Sequence, residues 1–193
     1  KLESLNLPDG TKLTSKDSII TFVNRNIEPY RGCQTFIRSI PKILSENPSS
    51  RIIIVGNTEG VSYGKPADGN SWTDIFLAEI EGQYEKSRVH FTGTLSYNLF
   101  INLLQLSSCH VYLTYPFVLS WSLLEAMSIG CPIVASNTAP VTEVVRNGEN
   151  GLLVDFFSQM ELCSSIKLIL TNNKISNYLG CNARNTIVNK YSL

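Results

Sequence analysis

The feature that most constrains this chain is an alternation. Short β-branched apolar runs, each ending in polar residues or glycine, are separated by stretches whose apolar side chains recur at helical spacing. The runs SIITFVNR (18–25) and RIIIVGN (51–57) read as buried strands, and between them Phe36, Ile37, Ile40, Ile43 and Leu44 mark one face of a helix. Pro41 falls inside that face, where it removes a backbone donor, so the pattern predicts either a kink or an early end there. A helix near 73–81 follows, then a strand at 88–93, an amphipathic stretch carrying Leu99, Leu103 and Leu106, and a strand at 109–115. Next come a helix at 122–130, a strand at 132–136, a short helix around 139–148 and a brief strand at 151–154. Two helices close the chain, the first marked by Leu162, Ile166 and Ile169. Strands alternating with helices throughout imply the α/β class: one doubly wound, Rossmann-like domain with a parallel sheet covered on both faces.

At 193 residues and 43% hydrophobic content the chain supports one well-buried domain, expected to span residues 1–193. It begins at Lys1 and stops in mid-pattern, which suggests a domain excised from a larger protein. Sixteen basic and sixteen acidic side chains cancel without any run of like charge, so bulk electrostatics favour neither a nucleic acid nor a membrane surface as partner. An anionic ligand must then be held locally. The five cysteines, Cys33, Cys109, Cys131, Cys163 and Cys181, are scattered and form no C-x-x-C pair, which fits a reduced, cytoplasmic protein. No apolar run reaches the roughly 20 residues of a membrane span.

In open parallel sheets ligands bind beyond the carboxyl ends of the strands, near the point where strand order reverses. That rule selects residues 24–31, 56–71, 93–96, 115–122 and 136–140. In NRNIEPYRG, Arg25 ends the first strand and Arg31 opens the next helix, so two guanidiniums flank one turn and could converge on a diphosphate. From the pattern alone a solvated surface pair is the more ordinary reading, and Glu28 could pair with one of them. In FVLSWSLLEAMSIG (117–130), Ser120 or Ser122 can cap a helix whose first N–H groups, near residues 121–124, face the ligand edge. Glu125 is expected in that helix's first turn, serving either the helix end or a vicinal diol such as a ribose. Glu143 precedes a turn built on Gly148 and Gly151 and reads as a cap, a solvent-facing acid or an outer support of the site. Residues 57–71, rich in glycine, with Tyr63 within them and Trp72 just after, form either a closing loop or an ordinary surface loop. No D-x-D pair occurs, His90 and His110 lie in separate strands, and no G-x-G-x-x-G follows the first strand, so neither a metal site nor a dinucleotide cofactor is indicated.

Taken together, FVNRNIEPYRG, IIIVG, VHFTGTLS, VYLTYPFVLSWSLLEAMSIGCPIVAS and TEVVRNGENGLLV resemble, in order and spacing, the donor-binding half of GT-B "group 1" retaining glycosyltransferases, over residues 18 to 190. The resemblance implies transfer of a sugar from a nucleotide-diphosphate sugar to an acceptor hydroxyl, with retention of configuration and without a metal or other cofactor. The acceptor, a glycan, a lipid-linked sugar or another hydroxyl compound, would be held by a separate N-terminal domain. By this resemblance Arg25 and Arg31 would carry the catalytic role of stabilising the diphosphate leaving group, Arg31 standing where the family more often has lysine. Asn24, Gly56, Gly93, Leu95, Ser120, Trp121, Ser122, Leu123 and Glu125 would bind the nucleotide sugar, with Glu125 on the ribose. The family's other signature glutamate falls at Phe117, a departure that leaves its role at the anomeric carbon unfilled. Two further readings share these residues: a non-catalytic nucleotide-sugar or phosphate-binding module, and a nucleotide-sugar epimerase of similar architecture.

Overall fold

The computed structural model of the chain describes residues 2–67, 69–116 and 119–191. A small antiparallel hairpin, β1 (Ser4–Asn6) and β2 (Lys12–Thr14), opens the fold. It lies ahead of the first strand read from sequence, because two three-residue strands are too short to carry a period. The body is a six-stranded parallel sheet of β3 (Ser18–Asn26), β4 (Ser50–Asn57), β5 (Val89–Phe91), β6 (Cys109–Tyr112), β7 (Ile133–Ser136) and β8 (Leu152–Val154). The spatial order is β5-β4-β3-β6-β7-β8, so the chain winds outward from β3 in one direction and then returns to its other edge. The reversal lies between β3 and β6. Both faces are covered, which explains strands that are apolar without alternation.

Among the described residues five helices lie between strands, α1 (Cys33–Glu46), α2 (Trp72–Glu79), α3 (Tyr97–Leu106), α4 (Trp121–Ile129) and α5 (Ala139–Thr142), and two follow the last strand, α6 (Gln159–Thr171) and α7 (Asn173–Lys190). One face packs α1 with α2 and α6, and Phe22 of β3 stacks on Phe36 of α1 with ring centroids 4.3 Å apart. The opposite face packs α4 against α3 and α7. Helix α1 runs through Pro41 without ending. An interior proline costs about 3 kcal/mol, whereas Phe36, Ile37, Ile40, Ile43 and Leu44 are all buried, each contributing about 1.5–3 kcal/mol. Packing therefore outweighs the lost hydrogen bond. The strand expected at 88–93 is only three residues long and is preceded by a 3-10 turn (Lys86–Arg88), and the helix expected over 139–148 contracts to α5.

His110 is fully buried in β6, with Nδ1 2.9 Å from Thr21 Oγ1 and no partner for Nε2. Burial pushes the imidazole down to about 3, so it stays neutral in the folded protein. The unfolded chain takes up a proton at this side chain below its ordinary value of 6.5, and the folded chain does not until about 3. Stability therefore falls as pH drops through that window, by at most about 1.4 kcal/mol per pH unit. Urea unfolding between pH 7 and 4 should show a steeper loss in the native sequence than in His110→Asn; equal slopes would refute the assignment.

Candidate functional site at the strand reversal

The register of β3 on β4 runs evenly to Val23↔Val55 and resumes at Asn26↔Asn57. Two residues, Asn24 and Arg25, thus face the single residue Gly56. This bulge takes both out of the ladder and re-aims their side chains, a device often found beside functional sites. Gly56 has φ 146°, and a β-carbon there would lie 2.2 Å from the Asn24 carbonyl oxygen and 2.9 Å from Ile27 Cδ1. Only glycine fits. Its N–H donates to the Gly93 carbonyl at 3.0 Å, tying the ends of β4 and β5 together.

A cleft of about 300 Å³ opens over this bulge at the carboxyl edge of the sheet. Asn24, Arg25 and Gly56 form one side, Leu95 and Phe100 another, and Ser120, Trp121, Ser122 and Glu125 from the start of α4 the third. Arg25 is exposed, and Trp121 stands at the lip, 78% exposed. The Asn24 amide nitrogen is buried without a hydrogen-bond partner. The hydroxyl of buried Tyr112 accepts from the Ser120 N–H at 2.8 Å and so fixes where α4 begins.

Three sequence expectations change here. Glu125 is the fifth residue of α4 and not in its first turn, since the helix starts at Trp121 with Ser120 as its cap. Helical side chains lean toward the N-terminus, which still directs Glu125 to the cleft. Tyr97 of α3 registers that carboxylate: its hydroxyl is pushed above the ordinary tyrosine value, first by the charge of Glu125. The N–H groups at the helix start are partly consumed within the protein, Ser122 donating to Ser120 Oγ (3.4 Å) and Leu123 to the Ser120 carbonyl (3.3 Å). Leu123 itself is fully buried in the core.

Of the remaining expected residues, Gly93 supplies its carbonyl to Gly56 and does not line the cleft. Arg31 lies outside the cleft wall too: its Nη1 donates to Thr114 Oγ1, 3.1 Å away, just after β6. Glu28 finds hydrogen-bond partners in the loop after β4. It is 2% exposed, and its Oε2 accepts the N–H groups of Ser62 (2.8 Å) and Tyr63 (3.1 Å). The loop after β4 is therefore anchored, with Asn26 Nδ2 donating to Ser62 Oγ (2.8 Å) and Trp72 Nε1 to the Gly64 carbonyl (2.9 Å). Glu143 is exposed at the end of α5. Phe117 lies outside the described residues. Sequence reasoning passed over Phe100, whose signal was its place one turn before Leu103 on the buried face of α3.

The fold is the α/β fold of GT-B glycosyltransferase domains, with the cleft at its strand reversal. The chain belongs to the glycosyl transferases group 1 family, whose model matches residues 6–186. An uncharacterised glycosyltransferase of Methanocaldococcus jannaschii is 29% identical over all of this chain and 46% of its own length. A D-inositol 3-phosphate glycosyltransferase of Rhodococcus jostii is 26% identical over 74% of this chain and 30% of its own. The chain thus spans about half or less of these relatives. Among solved structures, the C-terminal domain of a group 1 glycosyl transferase from Francisella tularensis superposes with a TM-score of 0.76 at 18% identity, over 92% of this chain and 87% of that one. Anabaena HepE in complex with UDP gives 0.77 at 20% identity, over 91% and 45%. No helix among the described residues is long and apolar enough to cross a membrane.

Gly56 offers a direct check of the bulge. Gly56→Ala should destabilise the fold by about 2 kcal/mol or more, read as a lowered urea midpoint. An unchanged midpoint would mean that the β3–β4 exit is not built as described.

Proposed function

We propose that this glycosyltransferase domain is the donor-binding half of an enzyme that moves a sugar from a nucleotide-diphosphate sugar to an acceptor hydroxyl. The observation that carries the reading is the placement of Arg25 and Glu125 in the walls of one cleft at the strand reversal. A cation on one wall and a carboxylate on another suit a ligand with a phosphate end and a diol end. In this reading Arg25 binds the diphosphate, and Arg31, held at Thr114, adds positive charge where the leaving group's charge grows. Glu125 accepts hydrogen bonds from the ribose diol, and Asn24, Gly56, Leu95, Ser120, Trp121 and Ser122 surround the nucleotide. Retention of configuration and independence from metal rest on the family resemblance. The acceptor would be brought by the other half of a longer protein, the domain assignment for residues 1–193 being part of the proposal. The five unpaired cysteines suit a reducing compartment such as the cytoplasm. One observation favours the non-catalytic reading, Phe117 where the family has its glutamate, and sugar transfer by the full-length protein decides between the two.

Calorimetric titration of the chain with UDP, GDP and ADP and their sugar conjugates tests the reading. Charged hydrogen bonds are worth about 1.5–3 kcal/mol, so Arg25→Ala should weaken binding roughly ten- to a hundredfold. Glu125→Ala should weaken a ribonucleotide about tenfold and leave a 2′,3′-dideoxy nucleotide unaffected. Equal losses for both sugars would remove Glu125 from the diol, and no binding by any nucleotide would remove the donor reading.

A further inference from the structure

A groove of about 440 Å³ runs between α7 and the turn at residues 146–150, sharing no residue with the donor cleft. Helix α7 turns Leu179, Gly180 and Ala183 inward. Another stripe of the same helix, Tyr178, Asn182, Asn185 and Asn189, lines the groove. At about 100° per residue these four fall within roughly 60° of arc, and the row extends for about 16 Å along the helix axis.

Three asparagines on one row of a helix run against local preference. Asparagine is among the weaker helix formers and alanine the best, so folding gains nothing from asparagine at an exposed helical position. Asn182 has a structural task, its Nδ2 donating to the Glu149 carbonyl at 2.9 Å. So has Asn150, whose Nδ2 donates to the Val144 carbonyl and to Thr186 Oγ1, both at 3.0 Å. These bonds tie the turn to α7 and set the two walls of the groove. Asn185 and Asn189, by contrast, are exposed and make no side-chain hydrogen bond among the described residues. Where a sequence breaks a local rule without a structural gain, function is the reading to test.

The lining sets the chemistry of the ligand. An amide offers a donor and an acceptor side by side, as a vicinal pair of sugar hydroxyls does. Tyr178, 55% exposed at one end of the row, offers an electron-rich ring face to the C–H face of a pyranose. Arg146 is met by Glu149 at 3.3 Å, and Lys190 is the remaining charged group among the described lining residues, so the wall lacks the convergent cations that suit an anion. Val144 is the one aliphatic residue among them, too little to seat an apolar peptide side chain.

We propose that this groove is a glycan-binding site distinct from the donor cleft, taking a neutral oligosaccharide chain, with Asn185 and Asn189 hydrogen-bonding its hydroxyls and Tyr178 stacking on one ring. The site holds a chain on the enzyme and takes no part in transfer. It stands independently of the donor reading.

Titration of the isotope-labelled chain with malto-, cello-, manno- and chitopentaose, followed by amide NMR, reads the site directly. With at least one of them the side-chain amide signals of Asn185 and Asn189 and the backbone signals over 178–189 should shift saturably. Asn185→Ala and Tyr178→Ala should each weaken that binding about three- to tenfold, while Tyr178→Phe, which keeps the ring, should stay within about twofold. Asn185→Ala should at the same time leave the urea midpoint unchanged or raised, since alanine is the better helix former, whereas an asparagine kept for stability would lower it. UDP added to the same chain tests the donor cleft separately, through the signals of Asn24, Gly56 and Glu125, so either reading can fail alone. No shift over 178–189 with any of the four up to about 10 mM, a concentration that fills a millimolar site, would overturn the proposal. So would shifts confined to the cleft residues, or a groove that prefers inorganic phosphate and loses it in Lys190→Ala.

Discussion

Strand β3 makes parallel ladders on both of its edges, with β4 from Ser18↔Ser50 onward and with β6 from Ile20↔Cys109. Everything that forms the site follows from that double pairing. A right-handed crossover from β3 must carry the chain to one side, and the return to its other edge must carry the second half away on the opposite side. The helices that follow cannot cover the point of divergence, so a crevice is left at the carboxyl end of β3. The bulge then places Asn24 and Arg25 in that crevice. A strand buried on both faces, with Ile19, Ile20, Thr21 and Phe22 fully inaccessible, gives those two residues a fixed base.

The turn leaving β3 is held from both neighbours. On one side, Glu28 and Asn26 bind the loop after β4; on the other, Arg31 and the Tyr30 carbonyl bind the exit of β6. Gly32 closes it with φ 73°, where a β-carbon would lie 2.4 Å from Leu113 Cβ. The turn thus links the two halves of the sheet across the reversal. Within it the Glu28 carboxylate accepts from backbone N–H groups and the Arg31 guanidinium donates to a hydroxyl.

Much of this was legible in the residues. β-Branched runs marked the sheet strands because a doubly buried parallel strand admits little else, the strand-end rule selected Arg25, Gly56 and Ser120, and the helix read after residue 120 carried Glu125; all four line the cleft. What escaped depends on contacts between segments far apart in sequence. Nothing near Glu28 announces that its partners are N–H groups 34 and 35 residues later. The departure of Arg31 from the cleft wall depends on Thr114, 83 residues away. Of the two outcomes that proline at position 41 allowed, an early end does not occur, because the energy that overrides it is tertiary. The place of Glu125 one residue deeper in the helix than expected goes with the cap at Ser120, whose N–H the Tyr112 hydroxyl accepts.

The exposure of Arg25 bears on how such a site works. An ion pair at about 4 Å is worth roughly 1 kcal/mol in water and about four times that at the effective dielectric of a protein surface. Arg25 is exposed and the lip residue Trp121 is largely in solvent, so each charged contact made by this chain alone operates near the weaker limit. Covering the cleft would lower the local dielectric and strengthen every one of those contacts together. A site built this way binds through the sum of several modest terms and gains most when a second body closes over it. That gain is in keeping with relatives in which the matching segment is about half the protein or less.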